Sequence, residues 1–134
     1  MNTFFNKHGI KTSVSNTKFA VNQKKGCVTC IMTYHFNNDS FIDDVMYAVV
    51  PDYWHNKDYT VVGVAYLNDT DTFDEEIGKK IARAKAESQM YKQAGMLIDQ
   101  TIVKVQEKFV EAGLSFIFKA GNVITHNDEY ISQF

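Results

Sequence analysis

Proline is almost missing from this 134-residue chain, which carries Pro51 alone, and three other residue types are nearly as scarce. Arg83 is the single arginine, Trp54 the single tryptophan, and Cys27 and Cys30 are the only cysteines. Each scarcity excludes something. With one proline among 45% hydrophobic and 13% aromatic residues, the chain stands apart from disordered and fibrous classes. Two cysteines are too few for the disulfide framework of a small secreted domain, which fits a reducing compartment. One arginine and a pI near 6.0 argue against broad contact with phosphates, so nucleic-acid binding ranks last among the functions considered. No apolar run approaches the ~20 residues of a membrane span. The N-terminal "MNTFFNKHGIKTS" also lacks the apolar core of a secretion signal, so a soluble cytoplasmic protein with no membrane partner is expected. No phosphate-binding loop, G-x-S-x-G elbow or H-E-x-x-H helix occurs. Without such a motif, no catalytic residue, cofactor or enzymatic activity is expected.

What is present begins with length, which suits a single domain over residues 1–134 that buries roughly two thirds of its unfolded surface. The stretch "GCVTCIMTYHF", residues 26–36, contains a C-x-x-C spacing followed by His35. Its period is two: Val28, Cys30, Met32, Tyr34 and Phe36 fall on one side, Cys27, Thr29, Ile31, Thr33 and His35 on the other. Residues three apart on a strand point to opposite faces, whereas a zinc pair needs a turn that brings both sulfurs to one point. No second C-x-x-C exists, and His8, His35, His55 and His126 show no ligand spacing, so no metal is expected and Cys30 reads as a small core residue.

Around this strand, "TKFAVNQKKG" predicts a partner strand from about Thr17 to Val21 and a turn from Asn22 to Gly26. A third strand is expected over Val45–Val50, closed by Pro51, and "YTVVGVAYLN" reads as a central strand on which Gly63 and Ala65 leave room for a helix. Thr72 and Glu75 have the spacing of a capping box, with Asp74, Glu75 and Glu76 at the positive end of the helix dipole. Gly78, Ala82, Ala86, Met90 and Ala94 then form a row of mostly small residues at spacing four, suited to lying on a sheet. Gly95 is a place where the helix could bend or stop. The helical period resumes through Ile98, Ile102, Val105 and Phe109 to a C-cap at Gly113. "LSFIFKAGNVITH" reads as a closing hairpin around Ala120–Asn122, and no internal repeat is evident. The expected fold is α+β: an antiparallel meander of about four strands against one long or two consecutive helices, with a C-terminal hairpin.

Charge is unevenly distributed along the chain. Residues 1–38 hold five lysines and no acid, residues 39–76 hold ten acids against Lys57 alone, and residues 77–134 hold eight bases and six acids. A surface built from Asp39, Asp43, Asp44, Asp52, Asp58, Asp69 and Asp71 would meet a basic partner by complementary charge. "DTDTFDEE" fails as a calcium loop, because no glycine stands sixth from Asp69 and Lys80 occupies the twelfth position. Lys79, Lys80, Arg83, Lys85 and Lys92 give the first long helix a basic stripe. Trp54, His55 and Arg83 form the alternative candidate set, a pocket for a small nucleotide in which Arg83 would clamp the phosphate and the aromatic ring would stack.

The segment "VVGVAYLNDTDTFDEEIGKKIARAKA", residues 61–86, resembles a stretch of small phage and prophage accessory proteins of low-GC Gram-positive bacteria, in which a strand and an Asp-rich turn feed a helix beginning F-D-E-E-I-G-K-K-I-A. It covers about a fifth of the chain. The resemblance implies an accessory protein acting in the host cytoplasm by stoichiometric binding. Its target would be a basic host protein, such as a nucleic-acid-binding defence enzyme of the CRISPR kind, inhibited through the acidic middle. Sequestration of a nucleotide immune signal is the alternative, and a homo-oligomer is compatible with either.

Overall fold

Alternation in the sequence becomes alternation in burial along β2 (Cys27–Phe36), where Val28, Cys30, Met32, Tyr34 and Phe36 are buried and the residues between them are half-exposed. The computed structural model describes residues 9–50, 53, 54, 56–67 and 74–134. Strand β1 (Thr12–Asn22) pairs antiparallel with β2 from Thr12 opposite Phe36 to Asn22 opposite Cys27, with a register shift between Val14 and Asn16. The connecting turn closes through Gly26, whose amide donates to the Gln23 carbonyl at 3.2 Å. Its φ of 62° is one that glycine adopts without steric cost.

Strand β3 (Tyr59–Tyr66) runs antiparallel along the other side of β2, so the sheet order is β1-β2-β3. The fold class is therefore α+β as expected, with three strands among the described residues. The centre of the sheet is β2; the apolar stretch of β3 lies at an edge, and its burial alternates, with Val61, Gly63 and Ala65 inside while Val62 is exposed.

The strand expected over Val45–Val50 is a helix, α1 (Ser40–Val49). Asp39 caps it by accepting from the Ile42 amide at 3.0 Å, and the Val50 amide closes the other end on the Met46 carbonyl at 2.8 Å. Met46 and Val50, four apart, are buried while Val45 and Tyr47 are exposed, which is a helical rather than an alternating pattern.

The long helix α2 (Glu75–Ile131) passes through Gly95, Gly113 and Gly121 without a break. The hairpin expected around Ala120–Asn122 and the C-cap expected at Gly113 are both replaced by continuous helix. Its start is capped by Asp74, whose Oδ1 accepts from the amides of Glu76 and Ile77 at 3.1 and 3.2 Å. The capping role expected of Thr72 lies outside the described residues.

The chain divides into two compact units, residues 1–98 and 99–134. In the first, the row at spacing four does what its size suggests: Ala82, Ala86, Met90 and Ala94 are buried against the sheet. The fit is tight. A Cβ at Gly63 would meet the Ala82 carbonyl oxygen and the Ala86 amide nitrogen, and one at Gly78 would stand 2.6 Å from Cγ2 of Val28. Fully burying side chains such as Val28 and Met32 contributes about 1.5–3 kcal/mol each. An aromatic corner closes the end of this core, with Trp54 and Phe36 ring centroids 3.9 Å apart and Tyr53 and Trp54 4.6 Å apart. The second unit is the helical segment from Asp99 with the last turn to Phe134.

Candidate functional site

The residues with the most chemistry are engaged in holding the first unit together. Tyr53 donates to Asp43 Oδ1 at 2.7 Å and accepts from the Asn38 side-chain amide at 2.7 Å. Burial first, then the bond to Asp43, pushes its phenol above the usual tyrosine range. Tyr34 donates to Gln93 Oε1 at 2.6 Å and is likewise raised, chiefly by burial. These groups keep their protons at any physiological pH. Burial also raises the Cys30 thiol, which makes it a poor nucleophile despite the nearby positive charge of Arg83. Cys30 is fully buried on the helix side of β2, and Cys27, half-exposed, belongs to the opposite face. Among the described residues no three His, Cys, Asp or Glu side chains come together as a metal site.

Four of the seven aspartates of the expected acidic surface lie among the described residues. Asp39 caps α1 and Asp43 holds Tyr53, so both are built into the fold; Asp44 and Asp58 are exposed. Asp52, Asp69 and Asp71 lie outside the described residues, as does His55. Of the nucleotide-pocket residues, Trp54 and Arg83 are described. Trp54 is a core residue packed on Phe36, while Arg83 acts electrostatically on Cys30, six residues away along the same strand, or ~20 Å. The basic stripe of α2 is partly committed: Lys79 pairs with Glu75 at 3.1 Å and lies over the Phe19 ring, and Lys85 donates to the Val64 carbonyl at 3.0 Å. Between β3 and this stretch of α2 runs an open groove of about 530 Å³, bordered by Val62, Val64, Ile81, Lys85, Gln89 and Lys92. Its mixed lining and openness offer no convergent set of polar groups for a small molecule.

The second unit presents a different surface. Val103, Val110, Ile117, Ile124 and Ile131 recur at every seventh residue, and Ile102, Phe109, Phe116, Val123 and Tyr130 recur one position earlier. All ten are exposed on the helix. A third column on the same side, Gln106, Gly113, Ala120 and Asn127, is small or polar. No charged residue falls in the two apolar columns; Lys104, Glu107, Lys108, Glu111 and Lys119 lie outside them. The spacing was visible in the sequence as a period of seven. It is masked there by "SFIF", whose alternating aromatic and β-branched residues imitate a strand.

No family model, curated protein or solved structure matches the chain. Among the described residues no helix is long and apolar enough to cross a membrane.

Proposed function

We propose that this chain acts by stoichiometric binding to protein, through the apolar face of residues 102–131, and not by turnover. The observation that carries the reading is that face itself: ten exposed apolar side chains in two unbroken columns on one helix. Soluble chains rarely leave a contiguous apolar patch of several hundred Å² open, and one of this size marks an interaction site. The shielded tyrosines and the buried Cys30 support the same reading, because these groups are held inside the core. The resemblance of residues 61–86 supports placing the protein among phage-type accessory proteins of the host cytoplasm. A basic host protein that binds nucleic acid, held by charge, receives less support, since two of the four described aspartates are engaged within the fold.

The test is site-specific photo-cross-linking in cells, with a photoreactive phenylalanine analogue in place of Phe116 on the face or of Ser115 on the far side of the helix. Abundant protein adducts from position 116 and few from position 115 are expected. Lipid adducts, or none, at position 116 would remove the reading.

A further inference from the structure

The face described above rests on a repeat of seven, and the length of the repeat says what covers it. A helix that lies on a flat surface needs its apolar side chains at a period of 3.6, because a strict seven-residue spacing drifts ~20° per heptad around a straight helix. From Val103 to Ile131 the drift reaches about 80°, which would carry the column off a sheet, a groove floor or a membrane plane. A second helix that supercoils with the first is the partner for which seven is the correct period. We infer that the partner is a second copy of this chain, joined along residues 102–131 in a two-stranded coiled coil; this rests on the reading of that face as a protein-binding surface.

Three features favour self-pairing. The column Val103, Val110, Ile117, Ile124 and Ile131 is β-branched throughout, the residue type that two-stranded coils take at a, here without the Leu that usually accompanies it at d. Three residues on, the neighbouring core column is Gln106, Gly113, Ala120 and Asn127, in which Gly113 and Ala120 allow close approach of two backbones midway along the helix. The area is also sufficient. Phe109, Phe116 and Tyr130 are 79%, 71% and 58% exposed, leaving about 400 Å² uncovered per chain at roughly 200 Å² per aromatic side chain. The seven aliphatic members, each about half to two thirds exposed, bring the stripe to about the 800 Å² per partner of a standard interface. An isologous contact of this kind closes on itself and leaves no apolar surface to recruit further copies.

Sedimentation equilibrium of the purified full chain at 5–50 µM, on the order of a dimer's working range, tests the inference. A mass about twice the 15.3 kDa of the chain is expected. Ile117→Lys places a charge in the seam and should raise the dissociation constant on the order of a hundredfold, since that charge would be buried unpaired. Ser115→Lys, on the far side of the helix, should leave the dimer intact and shows that a new lysine is tolerated. A monomer throughout the range overturns the inference, as does a dimer that survives Ile117→Lys. The cross-linking experiment separates the two levels: adducts at position 116 to a different protein and not to a second copy would leave the binding reading standing while removing this one.

Discussion

Gly63→Ala adds one methyl group to the middle of β3, and two effects of opposite sign compete. In a strand, alanine is favoured over glycine by about 0.5–1 kcal/mol because glycine loses more backbone freedom on folding. Against this stands the methyl's position, in collision with the Ala82 carbonyl oxygen and the Ala86 amide nitrogen of α2. Overpacking of a filled core costs about 1–3 kcal/mol. Here the obstacles are main-chain atoms that no rotamer change can move, so the upper end applies and the net loss is about 2 kcal/mol. Gly95→Ala is the same chemical change at a helical position with nothing within 4 Å of the new methyl. It should stabilise by up to about 1 kcal/mol from helix propensity. Urea denaturation followed by the fluorescence of Trp54, the only tryptophan and a buried one, reads the unit that contains both sites. With a denaturant slope of about 1–2 kcal/mol/M, Gly63→Ala should lower the midpoint by roughly 1–2 M while Gly95→Ala raises it. Equal signs for the two variants, or an unchanged midpoint for Gly63→Ala, would refute the helix–sheet contact described here.

Gly78→Leu should lower stability by about 1–3 kcal/mol in the same assay, despite leucine's better helix propensity, because its Cβ alone would press on Val28; a stabilised variant would show that this face is open. Asp74→Ala removes the acceptor for two amides at the start of α2 and should cost about 1 kcal/mol, with Asp74→Asn recovering most of it. Stability should also decline in alkali. The folded-state pKa values of Tyr34, Tyr53 and Tyr59 are raised above the unfolded value near 10, so the folded chain keeps protons that the unfolded chain has lost. Urea midpoints should therefore hold below about pH 10 and fall above it. Tyr53→Phe should lose about 1–2 kcal/mol at pH 7, through loss of its hydrogen bonds to Asp43 and Asn38, and make the alkaline decline shallower.

The parts of the fold legible in the sequence are those where one pattern had no rival. Ten residues of strict alternation fixed the two faces of β2, and a row of small residues at spacing four placed the buried side of α2. Misreadings fell on short apolar runs, where periodicity is ambiguous. Val45–Val50 before Pro51 has the composition of a strand, yet Asp39 supplies a cap that starts a helix five residues earlier. Residues 114–126 are rich in β-branched and aromatic side chains with Gly121 at a turn-like place, but local preference gives way to a helix that runs on from Glu75. A hairpin over that segment would cut the seven-residue repeat in two, so the strand-like composition of residues 114–126 hides the candidate surface in the sequence. The aspartates are a different case: grouping along a chain says nothing about which carboxylates the fold uses as caps and hydrogen-bond acceptors, as it uses Asp39 and Asp43.

The hydrogen bond from Lys85 to the Val64 carbonyl has a consequence for how copies of this chain meet. A sheet edge of Thr60, Val61, Val62, Gly63 and Val64 is the kind of template on which a foreign strand can be added, the first step towards fibrous aggregation. At Val64 that template is already occupied by the chain's own ammonium group, and an incoming strand would have to displace it and bury a charge. The other edge is interrupted as well, by the register shift between Val14 and Asn16 and by the exposed Lys18. With both described margins of the sheet blunted in this way, open-ended stacking of strands is disfavoured.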